Sequence, residues 1–197
     1  MKTLKYILFF TLNLLVTNLL AQQTKWVADK AHTKIKFSAI HMAISEVEGQ
    51  FNDYTVEVFA DGDDFNGAEV KVTIKSNSLE TGNADRDDHL RSDEFLGVAE
   101  YPEITFTGEL KKNIKDPGHT LEGVLTIRDV SKPVSLNVQH KGTVEAMGAV
   151  RAGFKLTGSI DRFDYDVDWN KTFTSGLVVS KEVKIICDIE LNKAKEQ

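Results

Sequence analysis

Residues that could carry chemistry are few in this chain, and they do not form a recognisable catalytic set. The single cysteine, Cys187, lies in a run where apolar and polar residues alternate, and a thiol on an apolar strand face is usually inert. The chain contains no G-x-S-x-G pattern, which marks the nucleophile of many hydrolases, and neither glycine-rich pattern that cradles phosphates. The sequence therefore predicts no catalytic residue and no nucleotide cofactor.

Two acidic stretches come closest to a metal site. The alternating aspartates of Asp164–Asp168 imitate the start of a calcium-binding loop, but the sixth position holds Trp169 instead of glycine and the twelfth holds Ser175 instead of glutamate. In Asp85–His89 two aspartates and a histidine could converge on an ion, although Arg86 favours internal ion pairs there. The histidines form neither an H-x-H nor an H-E-x-x-H pattern. We therefore predict that the protein binds no metal.

The elements that would carry these residues are β-strands. In the clearest runs apolar and charged side chains alternate one by one, so each strand has one dry face and one wet face. Turn-forming residues, such as Asp61–Asp64 and Asp129–Pro133, separate the runs. Regular alternation covers residues 68–75, 103–110, 150–161 and 182–191, and less regular runs cover 34–41, 55–59, 119–128 and 134–141.

Roughly eight strands with short connections are expected to pair antiparallel. An antiparallel barrel and a β-sandwich both satisfy a pattern of one wet face and one dry face. Several strands reach nine or ten residues, which favours an up-and-down barrel over a Greek-key sandwich. The pattern leaves both architectures open, and the prediction is an all-β domain with the barrel as the first choice.

One stretch, from Asn83 to Gly97, breaks the alternation. Acidic residues lead it, and its apolar residues Leu90, Phe95 and Leu96 are spaced irregularly. We predict a short helical insert near residues 84–97 that ends at the glycine. A polar insert between two strands could act as a lid or plug over one mouth of a barrel.

The N-terminus has the layout of a secretory signal peptide. Two lysines within the first five residues precede an apolar run over residues 6–20, and Ala21 offers a small residue for cleavage. The run is short for a membrane span. We therefore predict a signal peptide at residues 1–21 and one domain at 22–197. The mature chain would be periplasmic or secreted, without stable insertion into a membrane.

The charge of the remaining chain limits its partners. Without Lys2 and Lys5, the 24 basic residues become 22 against 30 acidic ones, which gives a net charge of −8. Nucleic-acid phosphates require clusters of lysine and arginine, so nucleic acid is not an expected partner. One cysteine cannot form an internal disulfide, and a domain of this size can rely on its core alone.

Several blocks of the chain resemble the YceI-like, polyisoprenoid-binding family. They follow one another in the family's order and cover nearly all of the chain after residue 21. The blocks are Asp29–Phe37 with His41, Gly49 and Phe51; Ser78–Gly82 with Arg86–Ser92 and Glu94–Phe95; Tyr101–Phe106; Gly123–Arg128 with Lys132–Val134; and Ile160–Asp164. Asp129 departs from a frequent glycine of the family and changes a turn. Tyr165 and Asp166 replace a frequent Phe-Gly, which affects the local shape near a strand end and the tunnel mouth.

The resemblance implies a lipocalin-like antiparallel barrel around an elongated apolar tunnel. Members of the family are periplasmic or secreted, are often dimeric, and are taken to bind isoprenoid quinones or other long-chain lipids and amides. They have no established catalytic residues. The implied function is therefore an exported protein, not an enzyme, that sequesters or carries a polyisoprenoid, an isoprenoid quinone or a fatty-acid-like amide. A homodimer is implied as well, and no cofactor.

An eight-stranded barrel is just wide enough either to fill with side chains or to hold one small ligand. Small residues beside large ones at inward positions are expected to leave a channel, although they could instead accommodate strand curvature. These small residues are Ala39, Ala68, Gly108, Gly123, Ala152 and Gly158. The predicted tunnel lining is Phe37, Ala39, Phe51, Phe106, Val124, Phe154 and Ile185.

Polar residues within the family blocks are the candidates for contact with the head group of a lipid. They are His41, Arg86, His89 and Arg162. For Arg86 the alternative is a structural pairing with Asp87 that holds the insert. Two other functions stay open at this point: an enzyme that acts on an apolar substrate in the same tunnel, and a structural β-sandwich without a ligand.

Overall fold

The computed structural model describes residues 23–62, 64–114, 118–174 and 176–194. The predicted signal peptide, residues 1–21, lies outside the described residues. Within them the chain forms strands, one α-helix, and two 3₁₀ turns at Ser76–Ser78 and Arg162–Tyr165. The strands are β1 Thr24–Ala28, β2 Lys34–His41, β3 Ser45–Phe51, β4 Tyr54–Ala60, β5 Ala68–Lys75, β6 Leu79–Glu80, β7 Glu103–Lys112, β8 His119–Ile127, β9 Val130–Ala146, β10 Ala149–Asp161, β11 Thr172–Phe173, β12 Gly176–Leu177 and β13 Val179–Lys193; the helix α1 is Ala84–Arg91.

Eight of these strands close into an antiparallel barrel. Around the ring the neighbours are β1, β4, β5, β7, β8, β9, β10 and β13, and β13 pairs again with β1. The closing pair places Trp26 of β1 opposite Lys193 of β13. The predicted antiparallel barrel of about eight strands is therefore confirmed, and the alternative of two packed sheets is wrong.

Strand β13 has 15 residues, which is long enough for two strands to pair one after the other along the same edge. Its C-terminal end pairs with β1, and its middle pairs with β2, where Cys187 lies opposite Ile35. Beyond β2 the sheet continues through β3 to β6, which has two residues. Past β6 the wall is completed by the insert, because Leu90, Phe95 and Leu96 face the interior there.

The segment from Asn83 to Gly97 is the insert predicted from the sequence, and its helix is confirmed. Helix α1 begins after Asn83, whose side-chain oxygen accepts a hydrogen bond from the backbone N–H of Arg86 at 3.0 Å. The helix ends at Arg91, with Ser92 as its C-cap, and the chain turns at Gly97, whose φ of 55° is a conformation that glycine adopts without strain. None of the helices in the described part of the chain has the length and hydrophobicity of a membrane-spanning segment.

The barrel has two different ends. At the insert end, the insert meets the segment Asp166–Trp169 and the Arg128–Asp129 turn between β8 and β9. At the Phe65 end, the loop between β4 and β5 carries Phe65, a residue that is 0% exposed. The core lies between these ends, on the inward faces of the ring strands.

Candidate functional site

The interior of the barrel contains a cavity of about 270 Å³. Its lining comes from the inward faces of the ring strands other than β1, together with β2, β3, β6, the insert, Phe65 and residues 162–167. Apart from Lys36, Arg162 and Tyr165, every lining residue is aliphatic, aromatic or a cysteine, and the surface that faces the cavity is almost entirely carbon. Such a surface can hold an apolar chain, but within the described residues it presents no set of polar atoms for catalysis.

Alternation along each strand explains why this wall is apolar. On β13 the residues Val183, Ile185, Cys187, Ile189 and Leu191 line the cavity, and the residues between them do not. Burial raises the pKa of the Cys187 thiol to about 12, so the group stays protonated at neutral pH. The cysteine therefore contributes to the wall as a small apolar group and not as a nucleophile.

Most residues predicted to line the tunnel do lie on its wall. They are Phe37, Ala39, Phe51, Phe106, Phe154 and Ile185, and the head-group candidate Arg162 lies there too. The rings of Phe37 and Phe51 pack against each other with centroids 5.5 Å apart on the neighbouring strands β2 and β3. The structure thus brings these residues together around one space; their contact with a ligand stays a prediction.

The predicted position of Val124 is wrong. Val124 is 43% exposed on the outer face of β8, between Thr107 and Pro133 of the neighbouring strands. The inward positions of β8 include Leu121 and Leu125, which line the cavity. A shift of one residue moves a side chain to the opposite face of a strand, and the sequence assignment was off by that one residue.

The small inward residues do not enlarge the cavity in the predicted way. Gly108 and Gly123 lie opposite each other on β7 and β8, and the ring of Phe106 lies over both. A Cβ atom would be 2.6 Å from the Phe106 Cζ atom at Gly108 and 2.5 Å at Gly123. Gly158 similarly gives room to the side chain of Leu136. These glycines accommodate neighbouring large side chains, and the cavity lies beyond those side chains.

Two head-group candidates lie away from the cavity wall. His41 is the last residue of β2 and lies opposite Val179 of β13. Arg86 in the helix donates from Nε to Thr81 Oγ1 at 2.7 Å and from Nη2 to the Thr81 carbonyl at 2.9 Å. Asp87 accepts a hydrogen bond from the Thr81 backbone N–H at 2.9 Å. Arg86 and Asp87 therefore hold the insert through a shared threonine, which is close to the structural alternative considered for Arg86.

His89 also lies off the wall, at the junction between the insert and the segment Asp166–Trp169. Its Nε2 atom is 2.7 Å from Glu94 Oε2, and its ring centroid is 4.9 Å from those of both Phe95 and Trp169. Because Phe95 lines the cavity and Trp169 packs against that wall, His89 supports the rim of the cavity from outside.

Arg128 joins the same two segments, a role that the sequence did not reveal. Its Nη1 atom donates to the carbonyl oxygens of Phe95 at 2.7 Å, Asp166 at 3.0 Å and Asp93 at 3.1 Å. One guanidinium thus fixes the insert to the segment that follows the second 3₁₀ turn.

Arg162 is buried, at 5% exposure, and closes the insert end from within. It donates to the carbonyl oxygens of Trp169 at 2.9 Å, Ser180 at 3.0 Å and Val179 at 3.3 Å, and also to that of Val167. Burial lowers the pKa of the guanidinium from its ordinary value, although it remains charged at neutral pH. These bonds tie the start of β13 to residues 167–169, so the predicted head-group residue has a clear structural role.

Phe65 and Tyr165 are among the wall residues that sequence reasoning missed. Phe65 lies in a loop, outside any alternating run, and therefore gave no signal. Tyr165 lies in the 3₁₀ turn and is 1% exposed; among the described residues its hydroxyl has no hydrogen-bond partner. Burial raises the pKa of this hydroxyl to about 12.

One group with metal-ligand atoms lies outside the cavity, and it was not foreseen. In Asp29, His32 and Glu190 the His32 Nδ1 atom is 3.2 Å from Asp29 Oδ2 and 3.9 Å from Glu190 Oε1. Arg151 Nε is 3.3 Å from the same Glu190 oxygen. The hydrogen bond from His32 lowers the pKa of Asp29. The Arg151 guanidinium and the contacts with the His32 ring therefore account for the carboxylates of this cluster.

The architecture and the cavity define a class of small closed barrels with an apolar interior. A comparison with protein families matches residues 26–191 to the YceI-like domain. The UPF0312 protein YE1254 of Yersinia enterocolitica is 38% identical over 167 residues, which cover 83% of this chain and 83% of that protein. The chain belongs to the YceI-like family.

Solved structures agree with this assignment. The Campylobacter jejuni YceI protein matches with a TM-score of 0.67 at 31% identity, over 79% of this chain and 90% of that one. A polyisoprenoid binding domain from Saccharophagus degradans, implicated in plant cell wall breakdown, matches with a TM-score of 0.62, over 88% of this chain and 100% of that one. At 16% identity the second match shows a shared fold.

Proposed function

We propose that this protein binds the apolar tail of a long-chain lipid inside the barrel and carries or sequesters it after export. The observation that supports this most directly is the cavity of about 270 Å³ with its carbon surface. Candidate ligands are a polyisoprenoid, an isoprenoid quinone or a fatty-acid-like amide. The description of the Saccharophagus degradans relative as a polyisoprenoid binding domain supports the same class of ligand.

Burial of the tail would supply most of the binding free energy. An engineered cavity of 150 Å³ holds a benzene molecule, so about 25 Å³ is needed per carbon and the cavity here takes about 11 carbons. Each CH₂ group removed from water gains about 0.8 kcal/mol, which gives about 9 kcal/mol before ordering costs. Micromolar affinity requires about 8 kcal/mol net, so after ordering costs a contact to the head group or burial of more of the tail has to contribute as well.

The polar head of the ligand would lie at the insert end. The carbon wall offers it little to bind inside the barrel, and Arg162 is the head-group candidate that touches the cavity. His41, Arg86 and His89 lie around the same end and would be reached only by a head group outside the rim. Phe37, Ala39, Phe51, Phe106, Phe154 and Ile185 would contact the tail.

The proposal includes periplasmic or secreted localisation after removal of residues 1–21, and a homodimer as the assembly. It also holds that the protein is a binding protein and not an enzyme. The raised pKa of Cys187 and the carbon surface of the cavity support this, because an enzyme acting in the same space would need a reactive polar group on the wall.

Extraction of bound lipid tests the proposal. Protein purified from the exported fraction of its host without detergent should release an apolar lipid into organic solvent, detected by mass spectrometry in near-stoichiometric amount. Ala39→Trp places an indole in the cavity and should abolish this signal, since Ala39 lies on the wall. Val124→Trp adds the same side chain to the outer face and is the matched control. Repeated recovery of folded wild-type protein without lipid, or equal lipid in both variants, would contradict the proposal.

A further inference from the structure

The cavity ends at an aromatic residue that does not belong to any strand. Phe65 comes from the loop between β4 and β5, lines the cavity and is 0% exposed. Its ring centroid is 4.9 Å from that of Phe154, 5.0 Å from that of Trp26 and 5.3 Å from that of the His140 imidazole. Phe65 therefore packs against three rings across this end of the barrel.

The loop holds Phe65 in this position at a conformational cost. The φ of Phe65 is 56°, in the left-handed region that non-glycine residues seldom occupy. Hydrogen bonds on both sides fix the backbone: the Phe65 N–H donates to the Gly62 carbonyl at 3.3 Å, and the Ala68 N–H donates to the Phe65 carbonyl at 3.1 Å. The His119 Nε2 atom also lies 2.8 Å from the carbonyl oxygen of Asp64. Because these hydrogen bonds hold the loop in a strained conformation, the position of the Phe65 ring is fixed by the structure around it.

Small side chains lie at the level where Phe65 enters. Ala60 ends β4, Ala68 begins β5, and Ala152 lies near the start of β10; each is at most 1% exposed. None of these three alanines lines the cavity, whereas Val58, Val70 and Phe154, two positions further inside on the same strands, do. Leu110 and Leu191, which lie opposite Ala68 and Ala152, still line the cavity at this level. The wall here is therefore made of these leucines and the Phe65 ring, and the small alanines beside them leave room for that ring.

We propose that Phe65 sets the length of lipid tail that the barrel accepts, at about 11 carbons in the space present here. The inference rests on the proposed function and adds a length limit to it. The ligand class is a lipid whose apolar segment inside the barrel has this length, with any longer remainder and the head group left at the insert end. Removal of the ring should let the tail reach further toward Trp26 and His140.

Affinity measured against chain length tests this. Saturated primary alcohols of about 6 to about 20 carbons would compete with a fluorescent apolar probe for the wild-type protein. Affinity should rise about fourfold for each added CH₂ group and stop rising near 11 carbons, where the cavity is full. The chain length at which affinity stops rising is called the break. Phe65→Ala removes a six-carbon ring and should move the break to longer chains, by up to about six carbons.

A second variant covers the case in which Phe65→Ala does not fold. Val58→Phe adds about four carbons at a wall position opposite Trp26, which packs against Phe65, and should shorten the limiting chain length by a similar number. Phe59→Ala is the control, because the Phe59 ring lies outside the barrel wall beside the ammonium groups of Lys25 and Lys71, at 5.7 Å and 5.3 Å. This control should leave the break unchanged.

The outcomes are distinct. A break that moves in opposite directions in the two wall variants and stays fixed in the control supports the length limit. A break at the same chain length in all the folded proteins would overturn it and leave lipid binding intact. Absence of alcohol binding by the wild-type protein would overturn the proposed function, and the length limit with it.

Discussion

The unpartnered hydroxyl of Tyr165 leads to a prediction about stability. Tyr165 is 1% exposed, and within the described residues its hydroxyl oxygen has no hydrogen-bond partner. A buried polar group left in this state costs about 1–3 kcal/mol. Tyr165→Phe removes the oxygen and keeps the ring, so the free energy of unfolding should rise by about 1 kcal/mol, at the low end of that range because the ring then leaves a small gap.

Tyr54 provides the matched control. It is also buried, at 5% exposure, but its hydroxyl donates to the Thr33 carbonyl oxygen at 2.7 Å. Tyr54→Phe leaves that carbonyl without its partner and should lower the free energy of unfolding by about 1–2 kcal/mol. The same atom is removed in both variants, and the sign of the effect should differ.

Urea unfolding followed by fluorescence measures both variants, with the slope against denaturant checked for constancy. In thermal unfolding a gain of 1 kcal/mol should raise Tm by about 2–4 °C for a domain of this size. Equal destabilisation by Tyr165→Phe and Tyr54→Phe would refute the reasoning, because it would mean that the Tyr165 hydroxyl is hydrogen-bonded in solution.

Three further predictions concern single positions. Gly123→Ala should destabilise the protein by about 2 kcal/mol or more in urea unfolding, because the new Cβ would overlap the Thr107 carbonyl oxygen of the paired strand and lie 2.5 Å from Phe106 Cζ. An unchanged midpoint would contradict this, because it would mean that both the ring and the neighbouring backbone move without cost. Asp166→Gly should stabilise the protein by about 0.5–1 kcal/mol in the same assay, because Asp166 has a φ of 56° that glycine adopts without strain. A loss of stability would contradict this and indicate that the carboxylate has a structural role. Burial lowers the pKa of His140 from 6.5, so near this pH the unfolded chain binds a proton more readily than the folded chain does. The free energy of unfolding should therefore fall as pH decreases below about 6.5 toward the folded pKa. His140→Phe, beside the Phe154 ring, should reduce that fall between about pH 7.5 and pH 5; an identical pH profile would contradict the assignment.

The strands with strict alternation were predictable, because a buried face and a wet face leave a signal of period two in the sequence. Strand β13 is the clearest case, with Ile185, Cys187 and Ile189 on the wall. Strand β8 gave no such signal, since Val124 and Leu125 are adjacent apolar residues and the inward position next to them is a glycine. The choice between its faces depends on the neighbouring strands, which hydrophobicity alone does not describe.

The candidate site was predictable to a similar degree. Phenylalanines within strands were placed on the wall correctly, but Phe65 was missed because it stands in a turn-forming segment, where an aromatic residue has no periodic partner. The structural roles of Arg162 and Arg128 could not be predicted from the sequence either. Each donates to carbonyl oxygens from segments that are distant in sequence or lie in loops, and backbone acceptors leave no mark in the amino-acid pattern.

The closing of the ring by β1 and β13 has a consequence for how the molecule is made. Trp26 pairs with Lys193, so the first and last strands must meet before the cylinder exists. A chain still missing its final strand would be an open curved sheet with two unpaired borders, and such borders invite association with other chains. Completion therefore waits for the synthesis of β13, and contacts between residues so far apart in sequence are slow to form. A nascent or truncated copy would need protection against aggregation until that last strand is available.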